Sequence, residues 1–541
     1  MKFTSFKKIL SSKKFRLLFY PIGFLSIISL LLTIEGGLLL LDLKKSKQAG
    51  EKLATDIINN KQENFNSNFE NWQKQTAKLN KKFTKVKLVS KFLPEKYQAL
   101  VKQVDDLFAL VADFNTYLPQ IVGQNNQKTY FILLQNNLEL RPSGGFMGSY
   151  AKIKFVKGGM KELNIQDIYV PDGQISGHVQ PPEPIQQAFK QGWWRLRDSN
   201  WEPDFPSAAE QILWFFEKGK EEKADGLFAL NLLTLKELLK IVQPLNLPDY
   251  DYQITADNFY QTAQNEAEKQ FFPGSTQKKD FLSSLAKQLV FELQNINSQQ
   301  TVQLIKIVKK QLEEKQILIS FTDPYLAQFV DQLNWNGAIE KEAENKQNSI
   351  TDYFYLVETN LGANKANCCL QRKVSQEIEL TNNGLVKEKA TITYFNTSPK
   401  ERPKPPLFWG GVYENYLRII LPSEVEISKI QVNQQNLKKE QITIQNYSQK
   451  MLKSVGFFVV TQPLDQSKVE IYYWKKGEIG KNKNYCLKIQ KQPGIEKYSH
   501  LIKLTFPEQF NLQTNLSGNL NKNSFLRELE IKKDRLINFS F

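Results

Sequence analysis

The chain has 541 residues, of which 41% are hydrophobic and 12% aromatic. That composition supports sizeable buried cores and argues against a wholly disordered protein, and the length suits roughly three or four domains. The formal net charge of +16 is typical of proteins that bind nucleic acid, an anionic membrane surface or an anionic polymer. Because the lysines are spread along the whole chain without a dense basic tract, nucleic acid is disfavoured as a partner.

The N-terminus has the pattern of a membrane signal anchor. Six basic residues lie within residues 1–16, and an apolar run follows over residues 17–41. A helix of about 25 residues spans about 37 Å, which is enough to cross a hydrocarbon core of about 30 Å. The stretch "LLLLDLKKSKQAG" offers no convincing cleavage site, so we predict an uncleaved anchor. The sequence leaves open whether Glu35, within this run, has a function or only reaches the membrane interface.

The charges that flank the apolar run predict its orientation. Basic residues are more numerous before the run than directly after it, which favours an inside N-terminus. We therefore expect a single-pass protein of the cell membrane, with residues 1–16 as a cytoplasmic tail and an extracytoplasmic body. The lipid bilayer is the expected partner of residues 17–41.

A helical stalk and an α/β domain are predicted to follow the anchor. Over residues 42–124, apolar side chains recur at helical spacing, as in Phe65, Phe69 and Trp72. Residues 125–364 alternate strand-like runs such as "KTYFILLQ" and "GLFALN" with helical patterns, which is typical of a sheet covered by helices. The late runs "QILISF" and "DYFYLVETN" are expected to return to this central sheet.

Short alternating runs dominate residues 365–541. "RKVSQEIELT" and "KEKATITYFN" are separated by the hairpin signal "NNG", and further strand-like runs follow. We predict a β-sandwich region of one or two units. The expected fold class is therefore α+β and multidomain: an N-terminal transmembrane helix, a helical stalk, a central α/β sheet domain and a C-terminal β-sandwich region.

Cysteine and histidine are too scarce to predict a metal or disulfide framework. Cys368 and Cys369 are adjacent, and Cys486 is distant in sequence. No thiolate metal site at a recognisable spacing is present, so we expect buried free thiols and leave one long-range disulfide open. With His178 and His500 as the two histidines of the chain, a histidine-rich zinc centre is excluded.

The stretch "LRPSGGFMGSY" is a candidate anion-binding loop. Pro142 biases Arg141 toward an extended backbone, and Ser143, Gly144 and Gly145 allow backbone N–H groups to approach an anion closely. The same glycines are also typical of a turn that simply starts a strand. The residues leave both interpretations open.

The second candidate segment is "WWRLRDSNWEPDF". The guanidinium groups of Arg195 and Arg197 suit bidentate contacts with phosphate. Asp198 and Asp204 are the candidate catalytic residues, as magnesium ligands or as a general base. Three tryptophans offer flat surfaces for sugar rings: Trp193, Trp194 and Trp201. The alternative is that the tryptophans pack the loop onto the core and that the Arg–Asp neighbours organise it, and no metal-ligand set is predicted.

A family resemblance rests on six short motifs. "ELRPSGGFMGSY", "RDSNWEPDFPSAA", "DGLFALN", "ETNLGANKAN", "YLRIILP" and "KQPG" occur in this order. As a set they resemble the bacterial membrane-anchored family called domain of unknown function 4012, over about residues 40–540. This resemblance implies a location in the cell envelope and no particular activity.

A more remote similarity is to the LytR-CpsA-Psr transferases. These are single-pass, extracytoplasmic α/β enzymes that move glycopolymers from a polyprenyl-pyrophosphate lipid to peptidoglycan. The likeness lies in the anchor, the domain order and the helix–strand pattern around "SAAEQILWFFEKGKEEKADGLFALN". Their "PRDT" signature is absent, so no residue role is transferred from them.

Two functions are therefore open. The first is a non-catalytic envelope protein that binds envelope glycans or envelope proteins, and we favour it because it requires less of the sequence. The alternative is a phosphotransferase that acts on a polyprenyl-pyrophosphate-linked glycopolymer, with Mg²⁺ as the cofactor that such a reaction would use.

Overall fold

The computed structural model describes residues 41–541 apart from 92–93, 243, 269–276, 341–348, 402–408, 478–483 and 515. The predicted cytoplasmic tail and nearly all of the predicted transmembrane anchor lie outside these residues. Within the described part of the chain, no helix is both long and apolar enough to span a bilayer. Two compact units are present: the described residues up to Lys128 together with Lys154–Glu162, and Thr129–Ile153 together with Leu163–Phe541.

The first unit is built from three helices, α1 (residues 41–58), α2 (Phe65–Ser90) and α3 (Glu95–Ile121). The rings of Phe83 and Phe108 lie 4.8 Å apart, and Lys87 Nζ lies 2.5 Å from Asp105 Oδ2. Because later residues of α2 meet earlier residues of α3, the two helices form an antiparallel hairpin. The predicted helical character of this region is confirmed, and its role as a stalk stays a prediction.

A β-turn completes the core of the first unit. Leu53, Phe65, Phe69 and Val122 are buried together. Gly158, at φ +82°, lies directly against the ring of Phe65, where a Cβ atom would collide with the ring. The glycine is therefore required both by the left-handed backbone and by the close approach.

The central sheet, most of whose residues belong to the second unit, has five strands in the order β3–β2–β1–β4–β7. Strand β1 pairs in parallel with β4, whereas β4 pairs antiparallel with β7. A separate two-stranded hairpin consists of β5 and β6. The strands are β1 (Lys128–Asn136), β2 (Phe146–Val156), β3 (Gly159–Asp167), β4 (Gly226–Asn231), β5 (Leu245–Leu247), β6 (Tyr252–Ile254) and β7 (Ile317–Phe321).

Helices pack on this sheet and on the small hairpin. Phe131 and Leu133 of β1 are buried against Ile212, Phe215 and Phe216 of the helix α6 (Phe205–Lys218), which forms the main core of the α/β domain. A second apolar cluster joins the hairpin β5–β6 to three helices of this region. The remaining helices are α4 (Tyr169–Asp172), α5 (Glu183–Phe189), α7 (Leu232–Val242), α8 (Phe259–Glu268), α9 (Gln277–Gln294), α10 (Ser298–Glu313) and α11 (Pro324–Gln332).

The rest of the second unit is a β-sandwich. One sheet has the order β13–β12–β16–β10–β9–β18–β21–β20, and the other has the order β14–β15–β11–β8–β17–β22–β19. Alternating side chains of both sheets share one buried core, so the described strands form one sandwich unit rather than two. The strands are β8 (Ser349–Val357), β9 (Leu370–Leu380), β10 (Leu385–Asn396), β11 (Tyr413–Pro422), β12 (Glu426–Val432), β13 (Gln435–Asn436), β14 (Thr443–Tyr447), β15 (Leu452–Thr461), β16 (Gln466–Lys476), β17 (Asn484–Gln490), β18 (Tyr498–Thr505), β19 (Gln513–Thr514), β20 (Asn519–Asn521), β21 (Ser524–Ile531) and β22 (Arg535–Ser540).

Strand β8 corrects one prediction from the sequence. The run "DYFYLVETN" was expected to return to the central α/β sheet, but β8 lies inside the seven-stranded sandwich sheet, between β11 and β17. Eight of its nine residues are buried. A strand that is buried on both faces has the same character in either sheet, and its sequence therefore does not reveal which sheet it joins.

The cysteines correct a second prediction. Cys368 and Cys369 form a disulfide with each other in the short 3-10 turn Ala366–Cys369, so the expected free thiols are wrong for this pair. The thiol of Cys486 donates to Asn538 Oδ1 at 2.7 Å. Adjacent cysteines are rarely bridged, and nothing in the residue spacing indicates such a bond.

Candidate functional site

Arg141 lies buried in the loop between β1 and β2, with 3% of its surface exposed. Its Nη1 donates to the carbonyls of Asn360 and Leu140, and its Nη2 lies 2.8 Å from Glu139 Oε1. Asp198 Oδ1 is 3.5 Å from the same Nη2. The guanidinium of Arg141 is thus surrounded by acceptors from the protein itself.

The glycines of this loop form a turn. Gly144 N–H donates to Arg141 O at 2.9 Å, and Gly144 has φ +132°. A Cβ atom on Gly144 would lie 2.5 Å from side-chain atoms of Asn231 and Gln135, and one on Gly145 would collide with the backbone of β1. Ser143 Oγ accepts from Gln135 Nε2 at 3.0 Å. It also accepts from Asn200 Nδ2 at 3.1 Å. These residues therefore pack against the sheet.

The two candidate catalytic carboxylates are engaged differently. Asp198 lies 3.5 Å from Arg141 and 3.6 Å from Arg197; burial raises its pKa, and the two arginines oppose that rise. Asp204 precedes α6 and accepts from Ser207 Oγ, from the backbone N–H of Ile339 and from Lys450 Nζ. Burial opposes the ionisation of Asp204, but these donors outweigh it and hold its pKa below the usual value.

The two candidate carboxylates do not belong to a larger cluster of possible metal ligands in the described part of the chain. Among the residues that the structure describes, no cluster of three or more His, Cys, Asp or Glu side chains is placed to hold a metal ion. The oxygen atoms of Asp204 that a cation would need already accept hydrogen bonds.

Trp194 and Trp201 are packed into the protein. Trp194 Nε1 donates to Asp198 O at 3.1 Å, and the ring lies edge-on to Phe215 at 5.4 Å. Trp201 is 7% exposed and stacks on Tyr416 of β11 with the ring centroids 5.4 Å apart. Both follow the alternative interpretation, in which tryptophans hold the loop to a core.

Three predicted residues do meet at an open cavity. It measures about 510 Å³ and is lined by Tyr169, Asp172, Gly173, Gln191, Trp193, Arg195 and Arg197. Trp193 is 47% exposed, and Tyr169 is 53% exposed. Exposed aromatic faces beside guanidinium groups are the features of a binding surface rather than of a core.

A buried carboxylate holds one of the two arginines. Arg197 Nη1 lies 2.5 Å from Asp172 Oδ2, and Asp172 Oδ1 accepts the backbone N–H of Leu196 at 2.7 Å. The guanidinium of Arg197 also lies 5.2 Å from the ring centroid of Tyr169. Sequence reasoning missed Asp172 and Tyr169; the turn-rich string "YVPDG" marks the bend that brings them here, but it carries no sign of their partners.

Arg195 differs from Arg197 because its contacts within the described part of the chain include no acidic side chain. Its guanidinium lies 5.2 Å from the ring centroid of Trp193, and the described residues place no carboxylate within ion-pair distance of it. The ring of Trp193 in turn lies edge-on to His178 at 5.6 Å. The cavity therefore presents an available planar guanidinium beside an aromatic ring, which suits a carboxylate or phosphate carried on a sugar.

Comparison with known proteins identifies the segment that contains this cavity. Residues 125–267 match the family "Protein of unknown function (DUF4012)". The family resemblance predicted from the motifs is thereby confirmed for this DUF4012 segment, which begins just before β1 and ends within α8. All of the residues that line the cavity belong to it.

Comparisons outside the family add no functional information. No curated protein matches the chain. The yeast LTA4 hydrolase in complex with bestatin aligns at 8% identity and a TM-score of 0.22, over 32% of this chain and 29% of that one. The M1 zinc metallopeptidase from Deinococcus radiodurans aligns at 9% identity and a TM-score of 0.18, over 32% of this chain and 42% of that one. The chain thus spans less than half of either structure, and likeness at this level carries no argument about fold or activity.

Proposed function

We propose that this chain is a single-pass, membrane-anchored protein of the cell envelope whose extracytoplasmic body binds an anionic glycan in the cavity beside Trp193. The observation that carries the proposal is the pairing of an exposed indole with Arg195, a guanidinium that no described carboxylate neutralises. The remaining contacts explain how such a ligand would be held.

The charge of the cavity favours a singly charged group. Two guanidinium groups and the carboxylate of Asp172 line it, so its side chains carry one net positive charge. Asp172 fixes Arg197, which leaves Arg195 as the group able to form two parallel hydrogen bonds with an incoming carboxylate. The rings of Trp193 and Tyr169 offer flat apolar surfaces to the faces of sugar rings. A glycan that contains uronic acid fits this combination.

The location rests on two observations. The basic and apolar pattern of residues 1–41 has the length and flanking charge of a signal anchor. The Cys368–Cys369 disulfide is of the kind that persists in oxidising compartments outside the cytoplasm.

No observation favours the phosphotransferase alternative. Asp172 is the one carboxylate among the residues that line the cavity, and it already accepts bonds from Leu196 and Arg197. These bonds give Asp172 a structural role, in which it holds Arg197 and the backbone of Leu196. Binding without catalysis is compatible with that structural role.

A matched pair of ligands tests the proposed binding. The detergent-extracted full chain is titrated calorimetrically with tri-galacturonate and with its methyl ester, which keeps the sugar rings but removes the charge. We expect the acid to bind and the ester to bind at least about tenfold more weakly, because a charge-assisted hydrogen bond contributes about 1.5–3 kcal/mol. Equal affinities, or no binding of either compound, would contradict the proposal.

A further inference from the structure

Trp193 is an exposed side chain on irregular backbone. It lies in the stretch between the helix α5 and the 3-10 turn Leu196–Asp198, and it is 47% exposed. A side chain of this kind loses conformational freedom when a ligand orders it, and that loss weakens binding. The contacts that hold Trp193 in the free protein therefore bear on the affinity of the cavity.

The segment of residues 173–182, which joins α4 to α5, supplies these contacts. It contains neither helix nor strand. Ile175 is buried in the main core of the α/β domain, and Val179 packs against the same core. The backbone of His178 lies between these two apolar anchors, so it is held in place although the side chain itself is exposed.

Two neighbouring residues of this segment hold the backbone on either side of Trp193. The ring Nε2 of His178 is hydrogen-bonded to the carbonyl of Gly192. The backbone N–H of Trp194 donates to the carbonyl of Val179 at 2.7 Å. The carbonyl of Gly192 belongs to the peptide bond before Trp193, and the N–H of Trp194 belongs to the peptide bond after it. Since both peptide planes are held, the two backbone dihedral angles of Trp193 are restricted.

The contact with Gly192 shows which nitrogen of His178 carries a proton. A carbonyl oxygen accepts hydrogen bonds and has no proton to donate, so Nε2 must be the donor. This condition is met by the neutral ring that is protonated at Nε2 and by the charged ring, which is protonated at both nitrogen atoms. The bond to Gly192 therefore does not require a charge on His178.

The ring of His178 also contacts the indole itself. The two ring centroids lie 5.6 Å apart at an angle of 72°, which is an edge-to-face arrangement. The guanidinium of Arg195 lies 5.2 Å from the centroid of the same indole. Trp193 and Arg195 line the cavity, whereas His178 is not among the described residues that do so. His178 is thus placed to act through Trp193 and not on a ligand directly.

Gln180 provides a matched comparison within the same segment. Its side chain is exposed, like that of His178. The Nε2 atom of Gln180 donates to Oε1 of Gln186, which lies within α5, at 3.2 Å. A substitution at Gln180 consequently changes the same exposed segment without removing the bond to Gly192.

We propose that His178 is a positioning residue of the cavity: its Nε2–H bond to Gly192 fixes the backbone that presents the indole of Trp193 to a ligand. The inference rests on the proposed binding of an anionic glycan, because it concerns the affinity for that ligand. The bond exists in the free protein, so part of the cost of ordering Trp193 is met before binding. His178 thereby increases the affinity without contacting the sugar.

A conservative substitution separates the hydrogen bond from other effects of His178. In calorimetric titration of the detergent-extracted full chain with tri-galacturonate, His178→Ala should bind roughly threefold to tenfold more weakly than the wild type. The amide of glutamine offers an N–H donor in place of the ring Nε2, so His178→Gln should restore the wild-type affinity. Gln180→Ala should also bind like the wild type. An unchanged affinity in His178→Ala, or an equal loss in His178→Gln, would overturn the proposal.

Hydrogen exchange tests the positioning without a ligand. Amide exchange in the full chain is followed by mass spectrometry of the peptide that contains Trp193 and Trp194. Because the N–H of Trp194 is protected by its bond to Val179, we expect exchange to be roughly threefold to tenfold faster in His178→Ala, where this backbone opens more often. His178→Gln and Gln180→Ala should exchange at the wild-type rate. The wild-type rate in His178→Ala would also refute the positioning role.

The two measurements separate this inference from the proposed function. A wild type that does not bind tri-galacturonate would contradict the proposed function, and the exchange rates would still decide whether His178 holds Trp193. Faster exchange in His178→Ala with an unchanged affinity would show that the bond does not serve the ligand, and would overturn the inference. The side chain of His178 is exposed, so His178→Ala should keep the melting temperature of the wild type. A lower melting temperature that His178→Gln does not restore would assign His178 a structural role instead.

Discussion

The "LRPSGG" loop has two possible interpretations, an anion-binding loop and a turn that starts a strand. The contacts of Arg141 distinguish between them. A residue that binds an external anion keeps donors available, whereas the donors of Arg141 reach Asn360, Leu140 and Glu139. Burial raises the pKa of Glu139, and the charge of Arg141 opposes this rise. Removing the arginine would therefore leave Glu139 without its ion-pair partner and Asp198 with Arg197 alone.

A substitution at Arg141 should change stability and leave ligand binding intact. We expect Arg141→Ala to lower the free energy of unfolding by about 3–5 kcal/mol, because it breaks a buried charge network. The free energy of unfolding of Arg141→Lys should lie between those of Arg141→Ala and the wild type, since lysine restores the charge but not the forked geometry. Urea denaturation gives the stability, and titration with tri-galacturonate gives the affinity. Normal stability with lost affinity would support the anion-cradle interpretation instead.

Glu388 and Asp352 bring two carboxyl groups into the core of the sandwich. Glu388 accepts from Tyr473 at 2.8 Å and from Gln376 at 2.7 Å, while Asp352 accepts from Tyr485 at 2.6 Å. Lys475 Nζ is 4.0 Å from Asp352 Oδ1. The ring Nε2 of His500 lies 3.2 Å from Oε1 of Gln376, the residue that donates to Glu388. Burial, followed by the charge of Asp352, raises the pKa of Glu388 well above its usual range.

This raised pKa makes stability depend on pH. The unfolded chain releases the proton of Glu388 near pH 4.5, whereas the folded protein keeps it to higher pH. The stabilising effect is therefore complete below pH 4.5 and is lost as pH rises toward the folded-state pKa, at about 1.4 kcal/mol per pH unit. Glu388→Gln mimics the protonated form and should remove this slope. Denaturation curves from pH 4 to pH 8 measure it, and parallel pH profiles for the two proteins would contradict the assignment.

At the residue scale, sequence reasoning grouped residues that are close to one another in the chain. Trp193, Arg195 and Arg197 lie in one short stretch, and the structure brings them to one cavity. The role of Arg141 was not predictable, because the Asn360 carbonyl that it binds is 219 residues away. A contact between residues so far apart in the chain is decided by tertiary packing and leaves no pattern in the local sequence.

At the scale of elements, helices were predicted well and strand partners were not. The spacing of Phe65, Phe69 and Trp72 indicated a helix, and these residues lie in α2 (Phe65–Ser90), because an amphipathic pattern is a local property. Strand β8 was placed in the wrong sheet. A buried strand has the same sequence pattern in either sheet, so its residues alone do not show which sheet it joins.

The position of β8 governs which fragments can fold. The seven-stranded sheet needs β8 to bridge β11 and β17, so a fragment beginning at residue 368 would leave a gap in its centre. We expect that fragment to give a disordered far-UV circular dichroism spectrum. A fragment beginning at Ser349 should show a β-type spectrum and a cooperative melt. A cooperative melt of the shorter fragment would show that the sheet closes without β8.

At the scale of the whole molecule, the proposed topology places the body outside the cell. Protease added to intact cells or spheroplasts should degrade the body and leave a short membrane-bound fragment, because the apolar run has no convincing cleavage site. An antibody against a tag on residues 1–16 follows that fragment. A body that stays protected until lysis, or a mature chain that starts near Ala49, would contradict the topology.

Glycan binding at Trp193 and Arg195 is the central claim, and one substitution tests it most directly. Arg195→Ala removes the available guanidinium, so the affinity for tri-galacturonate should fall about tenfold to a hundredfold in calorimetric titration. Arg527→Ala removes the same charge from an exposed position on β21 and should bind like the wild type. An unchanged affinity in Arg195→Ala, or an equal loss in both variants, would contradict the account.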